Sequence, residues 1–390
     1  MALLDHHGNQ ITPEEIGDQS FSNGRSAKVV AATDMDNTMF ENDLGPLVFL
    51  EKLADPHFWE LGSSEFSRIL LPKKYRELLR RGKNNEIPEL KPIVCDLALD
   101  LGQDIMNLYD MIQTVVQTKP EPNGEQPLIE EFARKMVELD RIFFMIDAVL
   151  SKYLDGEILM RTRFFAGKDP SVIHNLTQKV MRRQRTAVGR FLDLGIHDEN
   201  HVRANQIVTE DRISEVHGDE SPFKQIDRLV KPVLDVQKIT RHLITHLHIP
   251  TVVATGNLKA IAKTAVAESD YGDFMHKQRY IKKGGSLVVG TWLRAAEDGT
   301  LHPRVRNKPI LGDRKAKAVM DFANDRDKML GLALGDSPST DGPMIQAALA
   351  LNGAAVIVGK DIDTIRRRFE KVLPREQRYQ EKVYYVVDNK

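Results

Sequence analysis

The chain has 390 residues, of which 41% are hydrophobic and 28% are charged, and its formal net charge is −1. These values are ordinary for a globular protein and give no overall attraction to nucleic acid or to an anionic bilayer, so we expect neither as a partner. Cys95 is the only cysteine, which excludes a disulfide framework within the chain. Together with the lack of a leader pattern or a long apolar run in the sequence, this predicts a cytoplasmic location.

The first predicted strand, at about residues 27–34, contains the apolar run Val-Val-Ala-Ala and follows a polar segment, 1–26, that we expect to be a flexible arm. The strand ends in Asp34-Met-Asp36-Asn-Thr38. Side chains at spacing two project to the same side of an extended backbone, so both acids can reach one ligand. Open α/β sheets bind ligands at the carboxyl ends of their strands, which is where these acids are placed.

Residues 41–246 are predicted to form a mainly helical insertion between two strands of the core. Apolar residues recur there at helical spacing, and Asp169-Pro170 is a typical helix start with Asp169 as the N-cap. Proline and glycine predict a loop at 118–127, and the polar stretch 196–221 is predicted to be another loop. The predicted helices cover about residues 97–115, 128–154, 169–194 and 223–247.

After the insertion the sequence alternates between strand and helix patterns. A strand at 251–255 ends in Thr255-Gly256, and a strand at 331–335 is followed by Asp336 and Asp341. Such alternation predicts an α/β fold with a doubly wound, Rossmann-like parallel sheet. The core is then made of residues 27–40 and 247–390. Its other predicted elements are a hairpin that begins near 284 and turns at 297–299, a helix at 315–324 that starts with Lys315, and a strand at 354–359.

The order of these pieces resembles the haloacid dehalogenase superfamily: a strand with two acids, a strand with Thr-Gly, a lysine, and a strand with two more acids. The hairpin around 289–301 and the segment 163–171 resemble the phosphoserine phosphatase-like branch of that superfamily. In this branch a helical C1-type cap lies between the first and second motifs. The resemblance implies a phosphatase whose cap, here much enlarged, is the inserted segment.

The roles that the resemblance implies agree with the chemistry of the side chains. Asp34 would attack phosphorus, and Asp36 would protonate the leaving oxygen and then accept a proton from water. The implied cofactor is Mg²⁺, a hard cation that prefers oxygen ligands. Its ligands would be Asp34, the backbone carbonyl of Asp36, and Asp336, and Asp341 would complete or orient this acidic set.

Three groups are predicted to bind the phosphate. Thr255 offers a hydroxyl donor, Gly256 allows close approach to its backbone N–H, and Lys315 supplies positive charge. Lys308 and Lys317 are alternatives, but Lys315 begins a helix whose apolar positions are expected to face the sheet.

Asp43 and Arg163 are predicted to determine substrate specificity. In phosphoserine phosphatases an acidic cap residue at the position of Asp43 contacts the substrate's ammonium group, so an amine-bearing substrate is implied; the alternative is an N-cap of the first helix of the insertion. Arg163 could bind a substrate carboxylate, and the alternative is a salt-bridged helix end.

We therefore expect a Mg²⁺-dependent phosphomonoester hydrolase that acts through an aspartyl phosphate on a small ester such as phosphoserine or phosphocholine. Two alternatives stay open. The first is a phosphoprotein phosphatase whose cap is a docking surface, and the second is a non-catalytic binding module built on the same core. An insertion of this size could also form a homo-oligomer interface.

Overall fold

In the computed structural model, the described part of the chain comprises residues 2–21, 28–40, 44–53, 61–118, 126–154, 163–165, 168–181, 232–275, 287–305 and 310–387. These residues form an α/β core and a helical layer with its own apolar interior.

The core contains a seven-stranded sheet and a separate two-stranded hairpin. The sheet strands are β1 (Ala2–Leu4), β2 (Val29–Thr33), β3 (Thr251–Leu258), β4 (Val288–Thr291), β7 (Met329–Gly335), β8 (Ala354–Gly359) and β9 (Val383–Val387); the hairpin strands are β5 (Leu293–Ala295) and β6 (Leu301–Val305).

The strand order in the sheet is β1-β9-β8-β7-β2-β3-β4. Only β1 is antiparallel to its neighbour, and the other strands pair in parallel. From β2 the sheet grows through β3 and β4 in one direction and through β7, β8 and β9 in the other. The direction of winding therefore reverses between β2 and β7, which confirms the predicted doubly wound fold. In such sheets the crevice at the reversal point is where ligands bind.

Both faces of the sheet are covered by helices, as a parallel sheet requires. In β2, Val29 and Ala31 pack into one apolar cluster and Val30 and Ala32 into the other. The helices are α1 (Pro13–Phe21), α2 (Leu44–Leu53), α3 (Ser63–Leu70), α4 (Lys73–Lys83), α5 (Pro92–Thr118), α6 (Gln126–Tyr153), α7 (Pro170–Met181), α8 (Leu234–Thr245), α9 (Lys259–Ala267), α10 (Gly272–Met275), α11 (Asp313–Asn324), α12 (Gly342–Ala350), α13 (Ile362–Phe369) and α14 (Gln377–Gln380). Helices α1, α2 and α7–α10 contribute to the first cluster, and α11–α13 to the second.

Helices α3–α6 enclose a third apolar cluster, which we call the helical core. At its centre Phe66 stacks on Tyr109, with ring centroids 3.9 Å apart and ring planes 9° apart. Phe132 and Phe164 complete this aromatic group. In the described part of the chain, no helix combines the length and apolar character needed to cross a bilayer.

The N-terminal segment differs from the expected flexible arm. Over the described residues 2–21 it supplies an edge strand and a helix: β1 pairs with β9, and α1 packs on the core. The reason is apolar burial, because Leu3 and Ile16 are both buried in the first cluster. Three strand residues are too few to show a period, so the sequence pattern alone did not reveal this pairing.

The ends of the predicted insertion also differ from expectation. Phe40 forms a bridge with Pro232, and the Val233 N–H donates to the Met39 carbonyl at 2.8 Å. The insertion thus begins after residue 40 and ends at 232, and two helices within it, α2 and α7, also pack into the apolar cluster of the sheet. The helix α8, expected to close the insertion, instead contributes Val236 and other residues to the apolar cluster of the sheet. The predicted loop at 196–221 lies outside the described residues.

The predicted hairpin after β3 is two separate features. β4 joins the main sheet in parallel beside β3, and the antiparallel pair is β5 and β6. Gly299, with φ of +83°, makes the turn between them. The remaining predicted strands, at 251–255, 331–335 and 354–359, correspond to β3, β7 and β8.

Candidate active site

The acids of the first and last motifs meet at the reversal point of the sheet. Asp34 directly follows β2, and Asp336 directly follows β7. The two strands are neighbours, with Thr33 opposite Leu334, and the Asp34 N–H donates to the Leu334 carbonyl at 2.9 Å. Parallel pairing therefore places both carboxylates at the same edge of the sheet.

Lys315 joins this acidic group from the first turn of α11. Its Nζ lies 2.7 Å from Oδ1 of Asp34 and 2.5 Å from Oδ1 of Asp341, and the side chain is 1% exposed. The start of α11 is fixed to the same loop, because the Gly312 N–H donates to the Thr340 carbonyl at 3.0 Å. Among the lysines that the structure describes, Lys315 is the one that lies among these acids.

Of the two alternative lysines, the structure describes only Lys317, and it lies away from the acids. Lys317 is exposed and pairs with Asp321 one turn later on α11, at 3.3 Å. Lys308 lies outside the described residues. The difference between Lys315 and Lys317 follows from the helical period, because Lys315 shares the buried face of α11 with Val319 and Phe322.

Asp341 organises the loop that follows β7. Its Oδ2 accepts the backbone N–H groups of Asp336 at 3.1 Å and Ser337 at 3.0 Å, while its Oδ1 accepts from Lys315. Gly335 makes this arrangement possible, since a Cβ there would lie 2.6 Å from the Cβ of Asp341. Asp341 is fully buried, whereas Asp336 is only partly so.

Asp36 has different partners from the other acids. Its Oδ2 accepts from Nδ2 of Asn257 at 2.6 Å, and its Oδ1 accepts the backbone N–H of Leu44 at 2.9 Å. Asn257 lies at the end of β3, and Leu44 is the first residue of α2. The carboxyl group of Asp36 is therefore held between the core and the start of the insertion.

Thr255 and Gly256 lie in β3, beside β2. The Thr255 side chain is buried, and its Oγ1 accepts the Asn257 N–H at 3.0 Å. The hydroxyl of Thr291 donates to the Gly256 carbonyl at 2.8 Å. A Cβ on Gly256 would lie 2.4 Å from a methyl group of Leu311, so glycine is required for close packing at this point.

The electrostatics of the site reflect buried like charges. Burial, and then the charge of Asp341, raise the pKa of Asp34 to about 7, although Lys315 opposes this shift. Burial and the charges of Asp341 and Asp34 raise the pKa of Asp336 well above its usual range. Burial alone would lower the pKa of Lys315, but Asp34 and Asp341 outweigh it and the net shift is upward.

The acidic group fits a hard divalent cation. Asp34, Asp336 and Asp341 each offer one carboxylate oxygen, and these oxygens lie within 4.8 Å of one another. The Lys315 ammonium pairs with two of the three carboxylates, Asp34 and Asp341, so a divalent cation would offset the remaining negative charge. Both oxygens of Asp341 already accept hydrogen bonds, which suits it to orient Asp336 and Lys315. The carboxyl of Asp36 is not in this group, and its backbone carbonyl stays a predicted ligand.

Of the two predicted specificity residues, the structure describes only Arg163, which lies away from this site. Asp43 lies outside the described residues, so its role stays a prediction. Arg163 is buried in the helical layer, with its guanidinium 4.4 Å from the ring centre of Tyr75 and Nη2 donating to the Leu70 carbonyl at 3.3 Å. These contacts favour a structural role for Arg163 over its predicted contact with substrate.

The structure gives Thr38 of the first motif a partner and adds Asn257, to which the sequence assigned no role. Asn257 binds Asp36, and the hydroxyl of Thr38 donates to Oδ1 of Asp336 at 3.2 Å. The only sequence signal was position, because Thr38 and Asn257 each follow a motif residue by a few positions. Their partners lie far away in the chain and are brought near by strand pairing.

No protein-family model matches the chain, and no curated protein matches it significantly. A crystal structure of a conserved, functionally unknown protein from Anaerococcus prevotii DSM 20548 is similar, with a TM-score of 0.52 and 13% identity over 97% of this chain and 95% of that chain. Cytosolic 5'-nucleotidase IIIB bound to cytidine aligns with a TM-score of 0.38 and 14% identity over 96% of this chain and 86% of that chain. The first likeness shows a shared fold along almost the whole length of both chains.

Proposed function

We propose that this protein is a phosphatase of the haloacid dehalogenase type, which hydrolyses phosphomonoesters through an aspartyl phosphate on Asp34. The observation that carries the proposal is the Lys315 ammonium, buried between Asp34 and Asp341 at the reversal point of the sheet. A buried ion pair is a weak source of stability, because desolvation offsets most of the attraction. At a ligand-binding crevice, its better explanation is chemistry on an anionic group.

In the first step, Asp34 attacks phosphorus. Lys315 holds Oδ1, so attack through Oδ2 forms the new O–P bond while the bond to the leaving oxygen breaks. Asp36 gives its proton to the leaving oxygen, and the product alcohol departs. Lys315 offsets the negative charge that develops on the phosphoryl oxygens.

In the second step, water attacks phosphorus of the aspartyl phosphate. Asp36 accepts a proton from this water, which replaces the proton that it gave to the leaving oxygen. The bond between Asp34 and phosphorus then breaks, and inorganic phosphate is released. Thr255 and Gly256 offer a hydroxyl and a backbone N–H for the phosphate during both steps. The residues are thereby returned to their starting states.

Mg²⁺ is the cofactor that fits the acidic group. Asp34 and Asp336 would hold it through carboxylate oxygens, with the backbone carbonyl of Asp36, and Asp341 would keep the Asp336 loop in place. When bound, Mg²⁺ supplies positive charge that reduces the repulsion between the substrate phosphate and the attacking carboxylate.

We further propose a small phosphate ester as substrate, with amine-bearing esters as the leading class because of Asp43. The test is inorganic phosphate release from phosphoserine, phosphoethanolamine, phosphocholine, sugar phosphates, nucleotides and a phosphotyrosine peptide. Each is measured with Mg²⁺ and with EDTA, using wild type and the isosteric Asp34→Asn variant. We expect release with Mg²⁺ that EDTA and Asp34→Asn abolish.

The other outcomes of the panel are equally decisive. Turnover of the peptide alone would replace the small-molecule proposal with a phosphoprotein phosphatase. Activity that survives in Asp34→Asn would refute the aspartyl phosphate. If the folded wild type releases no phosphate from any ester of the panel, the proposed phosphatase activity is refuted and a binding module is favoured. Equal effects of Asp43→Ala on amine-bearing and neutral esters would end the specificity proposal.

A further inference from the structure

The side chain of Asn257 lies in an unusually well-defined position. It is 8% exposed, and its Nδ2 donates to Oδ2 of Asp36 at 2.6 Å. Its own backbone N–H donates to the hydroxyl oxygen of Thr255 at 3.0 Å. Its backbone carbonyl lies against β4, where a Cβ on Gly290 would be only 3.2 Å away. The amide is thus attached to the end of a strand that is fixed on both sides.

The carboxyl of Asp36 is oriented by donors from two different elements. Asn257 binds one oxygen from the end of β3, and the Leu44 N–H binds the other from the start of α2. Asp36 itself lies beyond the end of β2, next to Asn37, whose φ is +55°. A carboxyl group on such a turn has free rotation about its side-chain bonds unless a rigid neighbour fixes it. Of the two donors, Asn257 is the one contributed by the sheet.

We propose that Asn257 is the positioning residue for proton transfer by Asp36. The inference rests on the proposed function, because it gives Asn257 a role in protonating the leaving oxygen. A general acid acts only within hydrogen-bond reach of the oxygen that it protonates, so the direction of its carboxyl group matters. The amide of Asn257 supplies that direction without touching phosphate itself.

A purely structural alternative exists, in which the bond between Asn257 and Asp36 only ties β3 to the segment after β2. The two roles differ in one measurable respect. Loss of a tie harms all substrates alike. Loss of acid positioning harms a substrate in proportion to how much its leaving oxygen needs a proton.

The experiment compares phenyl phosphate with 4-nitrophenyl phosphate, which are similar in shape but differ in the basicity of the leaving oxygen. The quantity is kcat/KM with Mg²⁺, because it reports only the steps up to formation of the aspartyl phosphate. We expect Asn257→Ala to lower kcat/KM for phenyl phosphate by about 10²-fold, within the range of general acid catalysis, and that for 4-nitrophenyl phosphate several-fold at most.

Three further variants sharpen the comparison of the two esters. Thr291→Val is the matched control: it removes a hydrogen bond to the same strand end, at Gly256, without touching Asp36, and should affect both esters equally. The double variant Asp36→Ala/Asn257→Ala should have the same kcat/KM for phenyl phosphate as Asp36→Ala alone. The reason is that Asn257 acts through Asp36, so its loss has no further effect once Asp36 is gone. Asn257→Asp, an isosteric change that replaces the donor with an acceptor, provides a second variant if Asn257→Ala unfolds.

Equal losses of kcat/KM on the two esters, or additive losses in the double variant, would overturn the inference while leaving the proposed function intact. A wild type that hydrolyses neither ester, nor any ester of the wider panel, would overturn both together.

Discussion

The crevice at the edge of the sheet and the helical core bury their side chains for different reasons. At the crevice, Asp34, Lys315 and Asp341 come from three distant segments and bury charge against charge. In the helical core, Phe66 and Tyr109 lead a group of stacked and tilted rings with apolar neighbours. Burial of apolar surface stabilises a fold directly, whereas burial of a charge group costs free energy unless each member is paired. Under the proposed function, we expect the crevice to serve chemistry and the helical core to serve stability.

Replacing Lys315 should have the largest effect, because it removes the positive charge between two buried carboxylates. We expect Lys315→Ala to lower kcat by about 10³-fold, as for loss of a transition-state donor, and to lower the free energy of unfolding by about 3–5 kcal/mol. Phosphate release and urea unfolding measure the two quantities. Lys317→Ala is the matched control on the same helix, and its exposed pair with Asp321 should contribute little to either. Similar results for the two variants would contradict the contrast.

Replacing Phe66 should affect stability without affecting the chemistry. Phe66 is fully buried and contacts the rings of Tyr109, Phe132 and Phe164. We expect Phe66→Ala to lower the free energy of unfolding by about 3–5 kcal/mol, with kcat per folded molecule close to that of wild type. Met111→Ala, at an exposed position of α5, is the control and should be nearly neutral. A large fall in kcat at full folding would show that the helical core also shapes the crevice.

Gly335→Ala, which adds a single Cβ atom, should have an intermediate effect on both stability and kcat. The new Cβ would lie 2.6 Å from the Cβ of Asp341, so the loop carrying Asp341 must move. Overpacking of this kind costs about 1–3 kcal/mol, and displacement of Asp341 and Asp336 should lower kcat by about 10²-fold. Gly62→Ala, where an added Cβ meets nothing within 4 Å, is the control. Unchanged kcat in Gly335→Ala would mean that Asp341 does not need its observed position.

Local sequence patterns were sufficient to predict the motif-bearing strands. β2, β3, β7 and β8 are short apolar runs that end in polar or glycine residues, and both features lie within a few positions of each other. The position of the candidate site at the reversal point of the sheet followed from these strands, because parallel strands present their carboxyl ends at one edge. Lys315 could be chosen over Lys317 from the sequence because the helical period places these two lysines on different faces of α11.

The remaining features depend on contacts that the local sequence does not contain. β1 has three residues and exists through its pairing with β9, at the other end of the chain. Asn257 and Asp36 are 221 positions apart, so only strand pairing reveals that they touch. The place of α8 beside the sheet is likewise set by packing, because an amphipathic helix does not specify which of two apolar surfaces it will cover.

The reactivity of Cys95 reports on the contrast between the crevice and the helical core, and Lys315→Ala should change it least of all. It is the only cysteine, lies in α5, and is fully buried in the helical core. Burial, with a smaller contribution from Asp96, raises the pKa of its thiol to about 11. The thiolate is the reactive form, so at pH 8 the folded protein should react with a disulfide reagent such as DTNB only when the helical core opens.

The labelling rate of Cys95 therefore measures the opening of the helical core alone. In Phe66→Ala it should rise by about 10²-fold or more, as a loss of about 3–5 kcal/mol requires. In Lys315→Ala it should remain within about twofold of wild type, because distant sites with no shared partners behave independently. If Lys315→Ala accelerates labelling as strongly as Phe66→Ala does, the two regions open as one cooperative unit. Removal of the Lys315 charge at the crevice would then weaken the helical core as well. The division between a region for chemistry and a region for stability would fail.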